Sequence, residues 1–397
     1  MITVEEAEKI ILAQATDYGA EIIPFELALG RVLAENIKAD RDLPPFDRVT
    51  MDGIAINYDA VADGISTFKI KATQAAGDEP VEIEENDECV EIMTGAMLPA
   101  STDTIIRYED LALRAGLATL VTQEIKRGQN IHYKGKDKRH NDQVAAIGQV
   151  ITPALISMVA SVGETELRVK KLPRVVIISS GDELVEVDQV PSPYQIRRSN
   201  NYTVKAVLQQ HNIEANMLHL PDDPDVIKKQ LKTCLENYDV LLLSGGISMG
   251  KFDYMPKALE ELHVEQLFYK VQQRPGKPFW FGKHNKGPLV FAFPGNPVAT
   301  FMCLHRYFLP WLNASVGKEP QTAMRAVLNN RVSFHHPLKY FLQVKLHQNE
   351  YCQLVATPVE GNGSGDFANL TDTDAFMELP AQRNEFKKGE VFKIYTF

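Results

Sequence analysis

Apolar and polar positions change their spacing several times along the chain, and each change predicts a different kind of element. Thr3 followed by Glu6 has capping-box spacing and opens a helix predicted to run to about Thr16. Pro24-Phe25 to Ala34 reads as a second short helix. Asp40-Arg41-Asp42-Leu43-Pro44-Pro45-Phe46-Asp47 is a connector that cannot be helical, because proline lacks an amide hydrogen and pushes its predecessor toward extended backbone. From Met51 to about Ile147, short runs such as Phe68–Ala72 and Thr104–Tyr108 alternate with turn residues and predict a β-rich unit without a long amphipathic helix. Thr152-Pro153 then opens a helix over Ala154 to Val162, ended by Gly163. That helix is too short to stand alone. Packed back on the N-terminal helices, it makes the β-rich unit an insertion.

From Pro173 the rhythm becomes strand–helix–strand. Strands are predicted at Arg174–Ser179, Asn216–Leu220, Val240–Leu243 and Pro288–Phe293, with helices at Asn201–Gln210, Pro224–Asn237 and Pro256–Leu262. This order matches βαβ units and a mainly parallel sheet. The helix after Pro297 is apolar nearly all round (Val298, Phe301, Met302, Leu304, Phe308, Leu309), which predicts a central or interface position. After Gly317-Lys318, alternation over Thr322–Val332, Leu338–Leu346, Gln353–Val359 and Val391–Thr396 predicts a small C-terminal β domain.

Composition narrows the function classes. A chain of 397 residues with 44% apolar and 24% charged residues is a multidomain globular protein. Its net charge of -10 argues against non-specific binding to nucleic acid or to an anionic membrane, although a local basic loop can still hold an anionic small substrate. Cys89, Cys234, Cys303 and Cys352 lack the spacing of a zinc or iron–sulfur site and are expected as reduced thiols, Cys303 in the core. Glu5, Glu6 and Glu8 break any signal-peptide core, and no run approaches the ~20 apolar residues of a membrane helix. A cytoplasmic protein is expected.

The chemistry concentrates at predicted strand ends. Leu241-Leu242-Leu243 runs into Ser244-Gly245-Gly246-Ile247-Ser248-Met249-Gly250, with Asp253 beyond. The glycines let backbone N–H groups approach a ligand with no side chain in the way. Ser180-Gly181-Asp182-Glu183 ends the first strand, where the acids either meet a ligand or stay solvated in a capped turn. Pro221-Asp222-Asp223-Pro224 ends the second, with one aspartate available as a helix cap. Glu183, Asp222 and Asp253 therefore fall on one sheet edge, where ligands of open α/β sheets bind. They suit Mg²⁺, and any one of them suits a general base. Lys270, Arg274 and Lys277 add positive charge for phosphate, against the alternative of a solvated loop. Pro294-Gly295-Asn296-Pro297 enters a helix whose free N–H groups make an anion site, though Pro297 caps well without one. In the β-rich unit, Asp52, Thr94 and Asp137 stand beside turns, Asp137 in a base-rich segment. Ser364 lies in a glycine-rich connection. No GxGxxG or GxxxxGK[ST] motif is present.

The order and spacing of Met51-Asp52-Gly53, Ile92-Met93-Thr94-Gly95-Ala96, Ser180-Gly181-Asp182-Glu183-Leu184, Ser244–Gly250 with Asp253-Tyr254, Pro275-Gly276-Lys277-Pro278 and Pro294-Gly295-Asn296-Pro297 resemble the molybdopterin molybdenumtransferase family, MoeA in bacteria. Eukaryotic relatives are the E domains of gephyrin and of its plant counterpart. The resemblance spans the chain from about Thr3. It implies a multidomain α/β protein: a discontinuous helical domain (1–45 and 141–171), an inserted β-rich domain (46–140), a three-layer mainly parallel α/β molybdopterin-binding domain (172–318) and a C-terminal β barrel (319–397).

The same resemblance implies a homodimer whose active site is shared between the α/β domain of one subunit and the β-rich domain of the other. It implies adenylylated molybdopterin and molybdate as substrates, Mg²⁺ as cofactor, and AMP and molybdenum cofactor as products. Implied partners are the upstream molybdopterin adenylyltransferase and the recipient molybdoenzymes or their chaperones. Asp52, Thr94, Asp137, Glu183, Asp222 and Asp253 match the family's catalytic positions. Lys270, Arg274, Pro294, Pro297 and Ser364 also match its functional set. The chain departs from the family pattern at Arg274 (commonly lysine), His132 (frequently arginine), Glu91 (commonly basic) and Asp47-Arg48-Val49-Thr50 (usually small and polar). Two other functions remain open on this reading: the adenylyltransferase itself, which shares the α/β fold, and a non-catalytic scaffold of the gephyrin kind.

Overall fold

The computed structural model describes residues 1–122, 124–246, 254–319, 322–359, 361 and 367–397. Its centre is a six-stranded sheet in the order Asn216–Leu220, Val175–Ser180, Val240–Ser244, Leu289–Phe293, Trp280–His284, Val264–Tyr269. The first four strands pair in parallel, and Trp280–His284 runs antiparallel to both neighbours. Strand alternation splits the apolar residues between two faces. Val175, Ile177, Leu242, Phe291 and Phe293 pack with helices Ser199–Gln210 and Pro297–Cys303. Val176, Ile178, Leu241, Leu243, Val290 and Ala292 pack with helices Pro224–Asn237 and Met255–Glu261. The result is the three-layer unit implied by the resemblance. Strands Val264–Tyr269 and Trp280–His284 had no counterpart in the sequence reading.

The apolar helix after Pro297 is central. It runs as Pro297–Cys303, one π-turn over Leu304–Phe308, and Leu309–Ser315. The first helix, Val4–Leu12, has its capping box but ends short of Thr16. Residues beyond it are held by other contacts: Trp311 Nε1 donates to the Gln14 carbonyl at 3.1 Å, and Thr16 N donates to Ser315 Oγ at 3.2 Å. Val4, Ala7 and Ile11 join the α/β core, so this helix packs there and not against the helix after Thr152.

The helix expected from Pro24 to Ala34 is not formed. Ala20–Pro24 is a strand paired antiparallel with Glu166–Lys170, and only Phe25–Leu27 makes a 3₁₀ turn. The pairing partner lies beyond the β-rich unit, where no local pattern reveals it. Helix Pro153–Ser161 is capped by Thr152, and Ala28, Leu33, Leu155, Val159, Leu167 and Val169 share one core, joining the segments before and after the insertion.

The inserted unit is a six-stranded sheet in the order Thr104–Arg107, Gly53–Ile56, Glu88–Ile92, Thr67–Gln74, Leu117–Leu120, Leu111–Arg114, with one short helix at Tyr58–Ala62. At the C-terminus, Lys339–Gln348, Leu354–Pro358, Arg325–Leu328, Val391–Thr396 and Ala375–Leu379 pair in a ring that closes when Ala375–Leu379 meets Lys339–Gln348. Closure removes the exposed edges of an open sheet. The single run expected over Thr322–Val332 is broken into Arg325–Leu328 and Val332–Ser333, which pair with different partners. Gln273–Arg274 joins the barrel as a parallel neighbour of Lys339–Tyr340. Among the described residues no helix is long and apolar enough to cross a membrane.

Candidate active site

The strand order has a switch point. The chain moves from Val175–Ser180 outward to Asn216–Leu220, then crosses back to Val240–Ser244 on the other side. Loops leaving such a pair diverge and open a crevice at the carboxyl ends of the strands. A cavity of about 810 Å³ lies there, lined by Ser180, Glu183, Ser244, Gly245, Gly295, Asn296 and Pro297 among others. These seven predicted residues come from three separate loops.

Side chains stitch the loops together. Asn200 Nδ2 donates to Ser244 Oγ at 2.9 Å and to the Gly295 carbonyl at 2.8 Å. Thr300 Oγ1 donates to the Pro294 carbonyl at 2.6 Å. Buried Asn201 donates to Ser179 Oγ at 3.0 Å, and that hydroxyl lies 3.1 Å from His219 Nδ1. Burial, and then the nearby Arg198 charge, hold His219 below its ordinary value, which favours neutral imidazole. Gly246 has φ +68°, a conformation that favours glycine, and a Cβ there would crowd Ser180 Oγ, so the third loop seats closely against the first.

Asp222 N donates to Asp182 Oδ1 at 3.2 Å and Asp182 N to Asp222 Oδ2 at 3.4 Å, tying the second strand end to the first. Gly181 N donates to the Leu220 carbonyl at 3.4 Å in the same tie. The cap of the following helix is Asp223, which leaves Asp222 at the edge. One wall of the cavity comes from Leu184–Val185, paired with Ile196–Arg197 and braced by Arg198 Nε on Glu186 at 2.9 Å. Asn200, Asn201, Arg197, Arg198 and His219 were missed from the sequence. No local signal marks them, because each acts through partners that only the fold brings near.

Lys270, Arg274 and Lys277 lie outside the cavity lining but on the same edge. Val264–Tyr269 runs in the direction of the parallel strands and Trp280–His284 runs back, so the loop between them must emerge there. Lys270 Nζ sits 4.9 Å from the Tyr269 ring centre, and the Arg274 guanidinium 5.9 Å from that of Phe334 in the barrel. None of the three cations forms an ion pair with a described residue.

The β-rich candidates form a second group. Thr94 N donates to Asp52 Oδ1 at 2.7 Å, and this backbone bond holds the Asp52 carboxyl below its ordinary value. Asp137 Oδ1 lies 2.9 Å from His132 Nε2, whose Nδ1 lies 3.2 Å from an Arg48 nitrogen. The family's usual arginine is thus replaced by a histidine that carries one. Glu91 accepts from Tyr108 Oη at 3.0 Å; burial and this bond push the phenol up to about 12. Asp52 and Thr94 bond each other, and Asp137 bonds His132 and the Leu43 carbonyl, so this group is separate from the α/β network. Ser248, Asp253 and Ser364 lie outside the described residues. Among the described residues no group of three or more His, Cys, Asp or Glu side chains is arranged to hold a metal ion.

Comparison with known proteins decides the family. Residues 2–163 match the MoeA N-terminal region (domain I and II), residues 176–314 a probable molybdopterin binding domain, and residues 325–397 the MoeA C-terminal region (domain IV). A molybdopterin molybdenumtransferase of Synechocystis sp. is 37% identical over 100% of both chains. The chain belongs to the MoeA family. A molybdopterin molybdenumtransferase of Staphylococcus aureus is 30% identical over 99% of this chain and 95% of its own. A MoeA protein from Pyrococcus horikoshii superposes with TM-score 0.81 at 27% identity, covering 100% of this chain and 99% of that one. The cavity at the switch point falls within the segment matching the molybdopterin binding domain, apart from Phe367, which the C-terminal region contributes to its wall.

Proposed function

We propose that this protein transfers molybdate onto adenylylated molybdopterin, releasing AMP and yielding molybdenum cofactor. The observation carrying this reading is the cavity at the α/β switch point, in a chain whose full length aligns with molybdopterin molybdenumtransferases. The chemistry asks the protein mainly to position and neutralise. Two Mo–S bonds form while one molybdate oxygen leaves as water with the two thiol protons. Cleavage of the anhydride consumes one water and gives AMP and the molybdopterin phosphate.

Ser180, Ser244, Gly245 and the Gly295–Pro297 turn offer hydroxyls and backbone amides to the bound substrate. Lys270, Arg274 and Lys277 offset the charge of phosphate or molybdate. Asp52, Thr94 and Asp137 complete the site from the partner subunit of a homodimer. Glu183 and Asp222 are hard oxygen donors, and two carboxylates with substrate phosphate oxygens are the usual surroundings of Mg²⁺. When bound, Mg²⁺ supplies charge neutralisation on the anhydride.

The test is turnover of purified protein with adenylylated molybdopterin, Mg²⁺ and molybdate, following AMP release and reconstitution of a cofactor-free molybdoenzyme. Molybdate-dependent AMP release with reconstitution is expected. ATP-dependent adenylylation without molybdate would mark an adenylyltransferase. Substrate binding without AMP release would mark a scaffold.

A further inference from the structure

The cation-bearing loop is held from beneath by a buried polar clamp. Gln273, fully buried, donates through Nε2 to the Gly276 carbonyl at 3.0 Å and lies 3.6 Å from Cys303 Sγ. Its Oε1 accepts from Tyr307 Oη, also buried. Both ends of the amide are therefore satisfied inside the protein, and none of it faces a ligand. Val271 N donates to the Lys277 carbonyl at 2.9 Å, closing the loop at its base. Gly276 has φ +86°, and a Cβ there would lie 2.7 Å from Cys303 Sγ and 2.8 Å from Gln273 Nε2, so the loop backbone rests directly on the clamp.

Tyr307 sits in the π-turn Leu304–Phe308. A π-turn widens the helix and reorients side chains, and such turns recur at functional positions. Exposed Arg274 and Lys277 flank the clamped segment, with no ion pair to a described residue. The backbone between them is thus held from the core side, by Gln273 and by the Val271–Lys277 bond. We propose that Gln273 and Tyr307 are positioning residues that fix Arg274 and Lys277 as a two-cation seat for a tetrahedral oxyanion, either the phosphate of the adenylylated substrate or free molybdate. The inference rests on the function proposed above for the same edge of the sheet.

Tyr307→Phe keeps the ring and deletes one hydroxyl. Gln273→Met keeps the volume and deletes the amide. Each full-length variant is titrated calorimetrically with AMP and, separately, with molybdate, and its KM for each substrate is measured against kcat. We expect affinity for one of the two oxyanions to fall about fivefold or more in both variants, as lost buried hydrogen bonds loosen the loop. The matching KM rises while kcat stays within about twofold. A rise confined to molybdate places molybdate on the seat; a rise confined to the adenylylated substrate places phosphate there. A merely structural role lowers kcat through the folded fraction and leaves both KM values unchanged. That result, or unchanged affinities in both well-folded variants, overturns the proposal. Wild-type protein that binds an oxyanion without turnover refutes the activity and leaves the clamp standing. Wild-type protein that binds neither overturns the clamp as well.

Discussion

Asn200 ties two of the three loops that frame the cavity, and its removal measures how much ligand binding depends on that tie. In Asn200→Ala, the bonds of 2.9 Å to Ser244 Oγ and 2.8 Å to the Gly295 carbonyl are lost. Each is worth about 1 kcal/mol net, so the loops lose about 2 kcal/mol of restraint. At about 1.4 kcal/mol per factor of ten, that equals about 30-fold in affinity if the restraint serves binding alone. Water entering the vacated space recovers part of it, which sets a lower figure of about tenfold. The assay is calorimetric titration with AMP, beside a thermal melt showing that the fold is kept. Asn200→Asp serves as the companion variant. It preserves shape but turns an acceptor toward the Gly295 carbonyl, so it should bind no better than Asn200→Ala. Binding within about twofold of wild type in Asn200→Ala would refute the reasoning, because two bonds of normal strength would then contribute nothing to the site.

Asp52→Asn keeps the bond from Thr94 but removes the charge, and molybdate-dependent AMP release should fall by about a hundredfold. Because the native Asp52 pKa lies below its ordinary 3.8, its contribution to stability is present above that value and lost as pH falls through the native one, so this group adds no step to a pH–rate profile near neutrality. Arg306→Ala opens a buried ion pair: Arg306 is 4% exposed and lies 2.8 Å from Glu8. Glu8 is 37% exposed and rehydrates, while Glu378 keeps Lys339 at 2.6 Å. The loss should therefore be about 2 kcal/mol, below the 3–5 kcal/mol of a fully buried pair, and an unchanged urea midpoint would contradict it. Burial alone would raise the Glu378 pKa, but hydrogen bonds from Lys339 and Tyr395 hold it below the ordinary 4.5. Its stabilisation is thus present above pH 4.5 and lost as pH falls through the native value, and Glu378→Gln should flatten the acid limb of the stability curve. Chelation should stop AMP release and Mg²⁺ restore it, with the half-saturating Mg²⁺ raised about tenfold in Glu183→Gln.

Residues 173–245 were legible because period-two apolar runs, helix caps and glycine turns all agreed there. Local consistency of that kind is what a sequence displays. Two failures have one cause. Ala20–Pro24 became a strand because Glu166–Lys170 pairs with it, and Val264–Tyr269 and Trp280–His284 are strands because the sheet continues past Leu289–Phe293. In each case the deciding partner is remote in sequence, and tertiary pairing overrides local preference. The site divides in the same way. Loop glycines and acids could be picked out because their residue types are costly without a purpose. Asn200, His219, Gln273 and Tyr307 could not, because a buried amide, imidazole or phenol has value only through partners that the fold supplies.

Sheet topology also resolves how a chain of net charge -10 can gather anions. Arg174, Arg198, Arg306 and Lys339 are each neutralised by a carboxylate. Lys270, Arg274 and Lys277 have no such partner among the described residues. The single antiparallel strand, Trp280–His284, makes this arrangement: it returns the chain after Lys277 and so forces the cationic loop onto the edge where the parallel strands already end. The loops of the four parallel strands already bring glycines, hydroxyls, acids, Arg197 and Arg198 to that edge. The reversed strand adds there three cations with no ion pair to a described residue, positive charge of the sign opposite to that of the molecule as a whole. Removing those cations should therefore weaken oxyanion binding more than any equal change in net charge made elsewhere on the surface.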